Sequence, residues 1–280
     1  MASIVEYIIK ASKMSKIKEM GEDELLSFID DLKGFGVPKR ITRKYIVDYI
    51  DMDGDLLLKI SSKGYEDANA VMFIHGGAYI MEMDSFHWHV VLDILNKTKC
   101  TLYIPIYKLA PIYNYKNTDD FMIKSFEYLI NRYGEKRINI LGDSAGGQIA
   151  LRLLDSVKYN PNKTILVSPL AYLDMDYEMH CKMKELEKDD LILSVDFLQT
   201  VINWWTLGEK LNYNDISSLK GVYIFIGTKE ILYPQALRLK SEIITATLIE
   251  GKDLMHTWPY MPGDKSCIKG FSSICELLNE

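Results

Sequence analysis

The stretch Arg137-Ile138-Asn139-Ile140-Leu141-Gly142-Asp143-Ser144-Ala145-Gly146-Gly147 decides how this chain is read. Arg137–Leu141 predicts a strand, with Ile138, Ile140 and Leu141 as its apolar residues, and Ala145–Val157 predicts a helix. A strand meeting a helix across so few residues demands a sharp turn, and Gly142 and Gly146 stand where the two elements pass too closely for side chains. Ser144 at that turn is held in a strained conformation, its hydroxyl raised above the sheet. It also sits at a helix N-terminus, where backbone N–H groups and the dipole favour developing negative charge. A serine flanked by glycines in this strand–turn–helix setting predicts a nucleophile. The bland alternative, a Gly-rich turn with an incidental serine, does not require that setting.

On either side of this turn strands and helices alternate. Upstream, Ala70–Ile74 is a continuous apolar run, as expected of a strand covered on both faces. His87–Asn96 predicts a helix, Thr101–Tyr107 a strand and Asp119–Tyr133 a helix. Downstream, Thr164–Ser168 predicts a strand, residues 171–215 break the rhythm and turn helical only around Ser194–Trp205, and Val222–Ile226 resumes it. A helix from Pro234, a strand at Thr245–Glu250 and a helix at Lys265–Leu278 complete the chain. Lys44–Ile50 and Asp55–Ser61, joined by Asp51-Met52-Asp53-Gly54, predict a β-hairpin. Residues 1–33 look helical, with Ile4, Ile8, Ile9, Leu25, Leu26 and Ile29 at turn spacing, until Gly34, Gly36 and Pro38 end the helix. The alternation predicts an α/β fold with right-handed crossovers and a mostly parallel sheet, edged by the antiparallel hairpin.

A hydroxyl is nearly un-ionised at neutral pH, so a nucleophilic Ser144 needs a base with a pKa near neutrality. Of the five histidines, His256 lies after the last predicted strand, late enough for a Ser…acid…His order. His75 is expected to position its loop, whereas His87, His89 and His180 are expected at the surface or lining a pocket. Glu230, at the tip of the Val222–Ile226 strand, is the only acidic residue between Asp215 and Glu242. Its role would be to hold the His256 tautomer and stabilise the imidazolium. Asp253 is its rival. A tetrahedral oxyanion needs fixed donors, which the backbone N–H groups of Gly76, Gly77 and Ala145 could supply.

Composition narrows the function classes. Acids and bases are mixed and the formal net charge is −6, which argues against a nucleic-acid surface built of clustered Lys and Arg. The four cysteines show no zinc spacing and read as free thiols in a reducing cytoplasm. Lacking a signal peptide's unbroken apolar segment and any run near the roughly 20 apolar residues of a membrane span, the chain is expected to be soluble and cytoplasmic. Trp204, Trp205 and Trp258 either line a pocket or belong to the core, as aromatics at helical spacing more often do.

His75-Gly76-Gly77-Ala78, Tyr107-Lys108-Leu109-Ala110-Pro111, Gly142-Asp143-Ser144-Ala145-Gly146-Gly147 and Met255-His256 occur in this order. From about Arg43 onward the chain thereby resembles the hormone-sensitive-lipase-like esterases, the α/β-hydrolase group of bacterial acetyl esterases and carboxylesterases. The resemblance implies an α/β-hydrolase sheet of about eight strands flanked by helices, in a catalytic domain spanning residues 41–280. It implies a helical cap, built from residues 1–40 and an insert at 171–215. It also implies hydrolysis of small, short-acyl esters through an acyl-enzyme by Ser144, His256 and an acid, with no metal or organic cofactor, and it leaves a homodimer open. Two departures stand out: Glu230-Ile231-Leu232 where the group has Asp-Pro-Leu, and Lys108 and Ile112 where Arg and Glu are commoner. An amidase, aryl formamidase or peptidase using the same residues, or a catalytically silent binding protein, are the competing readings.

Overall fold

A computed structural model of the chain describes residues 15–30, 36–65, 69–157 and 159–280. After helical residues 15–17 come α1 (Glu22–Asp30) and the single turn α2 (Lys39–Thr42), followed by the hairpin β1 (Ile46–Met52) and β2 (Asp55–Ser61). Next come β3 (Ala70–Ile74), α3 (Ser85–Lys97), β4 (Thr101–Ile106), α4 (Tyr115–Tyr133), β5 (Ile138–Asp143), α5 (Ala145–Ser156) and β6 (Lys163–Val167). The insert contributes α6 (Tyr177–Leu186) and α7 (Val195–Thr206), before β7 (Val222–Gly227), α8 (Tyr233–Glu242), β8 (Thr247–Gly251) and α9 (Lys265–Asn279).

The strands form one eight-stranded sheet in the order β1-β2-β4-β3-β5-β6-β7-β8. β1 and β2 are antiparallel to each other and β2 to β4, whereas every later pairing is parallel. The hairpin is tighter than its sequence suggests: Met52 pairs with Asp55, which leaves only Asp53 (φ 59°) and Gly54 (φ 91°) in the loop. Two residues at positive φ match the twist of the flanking strands, and Asp-Gly tolerates that conformation.

Successive residues of β3 face opposite cores, as the two-residue period of a strand dictates. Ala70, Met72 and Ile74 join a core built with α4, α5, α7 and α8, whereas Val71 and Phe73 join one built with α3 and α9. The result is helix layers on both faces of a sheet whose central strands are wholly buried. Asp84 starts α3 two residues before the predicted helix, and Asn114 starts α4 four residues before it, each by accepting backbone N–H groups of the first turn. Residues 171–215 hold one helix more than expected. In α6 the buried Met179 and Met183 lie four residues apart, with Asp176 as N-cap, a signal diluted by the polar residues around them.

Hydrogen bonds tie the chain's beginning to this insert. Lys18 Nζ donates to the Asp190 carbonyl at 2.7 Å, Ser194 Oγ to the Lys18 carbonyl at 3.1 Å, and Trp204 Nε1 to Glu22 Oε1 at 2.9 Å. Ile4, Ile8 and Ile9, with Gly34, lie outside the described residues. The tryptophans divide: Trp205 and Trp258 are core, and Trp204 is half-buried against α1. All four cysteines are free thiols, and burial pushes Cys100 and Cys267 up to about 11 and Cys275 up to about 12.

Candidate active site

Parallel strands deliver their C-terminal ends to one edge of the sheet, and the residues singled out from the sequence follow those ends. His75-Gly76-Gly77 leaves β3, Ser144 leaves β5, Ser168 leaves β6, Glu230 follows β7 and His256 follows β8. β3 and β5 are direct neighbours, with Ile74 opposite Gly142.

Ser144 has φ 52° and ψ −120°, a conformation costly for a residue with a Cβ, on the order of 1–3 kcal/mol. The surrounding main chain imposes it. Ser144 N–H donates to the Val167 carbonyl at 2.9 Å, while its own carbonyl accepts from Gly147 at 3.0 Å and Leu170 at 3.1 Å. The turn requires Gly146, because a Cβ there would run into the carbonyl oxygens of Ile74 and His75. The serine is 9% exposed, so its side chain is held at the margin of solvent.

The His75-Gly76-Gly77 loop lies directly against this turn, since a Cβ placed on Gly76 would come within 3.0 Å of Ser144 Cβ. Among the described residues none accepts a hydrogen bond from the backbone N–H of Gly76, Gly77 or Ala145. Buried N–H groups are normally paired, and donors left without a protein acceptor at a helix N-terminus are chemically suited to an anionic oxygen.

Glu230 is fully buried, and its carboxyl group is shared among three donors. Oε1 accepts from Gly227 N–H at 2.6 Å and from Ser168 Oγ at 2.7 Å, while Oε2 accepts from His256 Nδ1–H at 2.6 Å. The Nδ1–H tautomer follows from that bond and turns Nε2 away from the carboxylate. The two loops are also laced by backbone, with Thr228 donating to Gly251 and Lys229 to Leu254, each at 3.0 Å. Asp253 is excluded as partner of His256: its exposed carboxylate lies 3.8 Å from Lys229 Nζ.

In the sheet two strands, β6 and β7, separate the ends that carry Ser144 and His256. The His256 loop crosses that gap. Thr257 N–H donates to Ser168 Oγ at 2.8 Å, and Ser168 adjoins Val167, whose carbonyl takes the Ser144 N–H. Neighbouring residues of β6 and its end thus hold both the serine turn and the residue beside His256. Sequence reasoning passed over Ser168; its only signal is a polar residue ending an apolar strand run.

The remaining histidines are structural. His75 Nδ1–H donates to the Gly76 carbonyl at 2.7 Å, its ring stacks on Tyr107 at 4.5 Å, and the Tyr107 hydroxyl donates to the His75 carbonyl at 2.7 Å. Burial, helped by nearby His87, lowers its pKa to about 4, so it is neutral at pH 7 and positions its loop as expected. His87, expected at the surface or lining a pocket, is buried. Because α3 begins at Ser85, His87 completes a capping box with Asp84, 2.9 Å away, and is buried with Nε2 3.5 Å from Asp143 behind the serine turn. His89 is half-buried and contacts Arg40, and His180 is half-buried on α6.

Among the described residues no cluster of three or more His, Cys, Asp or Glu could hold a metal ion, and no helix is long and apolar enough to cross a membrane.

The family model described as alpha/beta hydrolase fold matches residues 71–259. A triacylglycerol lipase of Mycobacterium tuberculosis (strain ATCC 25618 / H37Rv) is 28% identical over 131 residues, 44% of this chain. That match spans only 29% of the lipase's own length. A crystal structure from Staphylococcus aureus, described as a candidate esterase, superposes with a TM-score of 0.84 at 20% identity and covers 99% of both chains. A hormone-sensitive lipase from a metagenome library superposes with a TM-score of 0.77 at 19% identity, covering 99% of this chain and 98% of that one. The strand order, the serine turn between β5 and α5 and the family match together place this chain in the alpha/beta hydrolase fold family.

Proposed function

We propose that this protein is a serine carboxylesterase that hydrolyses small, short-acyl esters through an acyl-enzyme. Ser144 is the nucleophile, His256 the general base and then acid, and Glu230 the group that orients and stabilises the imidazolium. His256 Nε2 takes the Ser144 proton as the hydroxyl oxygen bonds to the acyl carbon, and the carbonyl oxygen becomes an oxyanion. The N–H groups of Gly76, Gly77 and Ala145 hold that charge; losing one such donor typically costs on the order of 10²–10³ in rate. His256 then passes its proton to the leaving alkoxide, and a water activated by the same imidazole releases the acid.

The observation that carries this reading is the Ser168 junction. Ser168 Oγ bonds both the buried Glu230 carboxyl group and the backbone beside His256, and the residue before it, Val167, holds the serine turn. The names of the relatives, a lipase among them, favour ester over amide substrates. Residues 15–30 and 171–215 form a cap, a role supported by the hydrogen bonds that join Lys18 and Glu22 to the insert. A fluorophosphonate probe tests the assignment. Intact mass should rise by one phosphonyl adduct, mapped to Ser144 and missing in Ser144→Ala; an unlabelled wild-type protein would leave a silent binding protein as the better reading.

A further inference from the structure

Asp190 follows α6 in the insert, far in sequence from the site, and its carboxyl group is 1% exposed. One oxygen, Oδ1, accepts the backbone N–H groups of Ile192 at 2.8 Å and Leu193 at 2.9 Å, fixing its own turn. The other, Oδ2, accepts the N–H of Ile231 at 2.9 Å. Ile231 is itself fully buried and directly follows Glu230, so the only described support for its N–H comes from another part of the chain. The Asp190 backbone is anchored in turn, its N–H to Leu186 at 3.2 Å and its carbonyl to Lys18 Nζ at 2.7 Å.

From this geometry we infer that Asp190 is a positioning residue for ester hydrolysis: by holding the Ile231 N–H, the insert fixes the loop that aims Glu230 at His256. The inference rests on the role proposed for Glu230. A side chain whose hydrogen bonds all go to main chain, one of them beside the acid, controls where that acid points. Small misplacements at a distance from reacting atoms can be costly. With Asp190 removed, the peptide after Glu230 is free to tilt toward water, and the 2.6 Å bond to His256 loosens.

A double-mutant cycle between Asp190→Ala and Glu230→Gln tests this, with kcat and KM measured on p-nitrophenyl acetate and folding checked by circular dichroism. Asp190→Ala is expected to lower kcat on the order of tenfold with KM changed less than about twofold. In the Glu230→Gln background the same substitution is expected to cost less than about twofold, because the group it positions is already disabled. Multiplying losses, or an unchanged kcat in a folded Asp190→Ala protein, would overturn the inference. If the alanine variant does not fold, Asp190→Asn, which keeps the volume and one acceptor oxygen, is read by the same criteria. A Glu230→Gln protein with wild-type kcat would instead remove the role of Glu230 itself, which separates the two failures.

Discussion

Glu230 Oε2 accepts the Nδ1–H of His256 at 2.6 Å, while Ser168 Oγ holds the other carboxyl oxygen at 2.7 Å. The acid is therefore fixed at both oxygens before any substrate arrives. Removing its charge leaves the volume intact but weakens the tautomer and the imidazolium, so Glu230→Gln is expected to lower kcat on the order of 10³-fold without unfolding the protein. Ser168→Ala deletes one donor to Glu230 and the acceptor of Thr257 N–H. We expect a smaller loss, about three- to tenfold in kcat, with stability lowered by about 1–3 kcal/mol for the buried groups left unpaired. Steady-state kinetics and urea unfolding on the two variants check both; a Glu230→Gln protein as active as wild type would contradict the pairing.

His75 sets a pH dependence of stability. Burial and His87 hold its pKa at about 4 in the folded chain, against an ordinary 6.5. Below 6.5 the unfolded chain binds a proton that the folded chain refuses until about 4, so the stabilisation is complete above 6.5 and is lost as pH falls through that window. The shift corresponds to at most about 3 kcal/mol. In His75→Asn the fall in unfolding free energy between these pH values should be shallower. Urea titrations of both proteins across the window measure it, and parallel slopes would show that His75 does not carry the linkage.

Much of this was legible in the sequence because backbone constraints leave clear marks. Gly142, Gly146 and Ser144 read as a tight strand-to-helix turn since few other residues fit that path, and the runs of β3 and β7 stand out as unbroken apolar segments. Glu230 could be picked out as the only acidic residue between Asp215 and Glu242, and His256 by its place after the last strand. What stayed hidden depends on long-range contacts. The local sequence around Ser168 and Asp190 does not disclose their bonds to Thr257 and Ile231, distant in sequence. His87 is buried because the cap at Asp84 shifts the helix start and turns its ring inward. The helix α6 escapes the pattern since its buried methionines are separated by His180, Cys181 and Lys182, of which only Lys182 is exposed.

The central claim is that Ser144 and His256 act as one unit on an ester carbonyl. Hydrolysis of p-nitrophenyl acetate by Ser144→Ala, His256→Ala and the double variant tests it most directly. The account predicts that each single substitution lowers kcat on the order of 10⁴-fold or more and that combining them adds little. Wild-type turnover by a folded Ser144→Ala protein, or losses that multiply in the double variant, would contradict it.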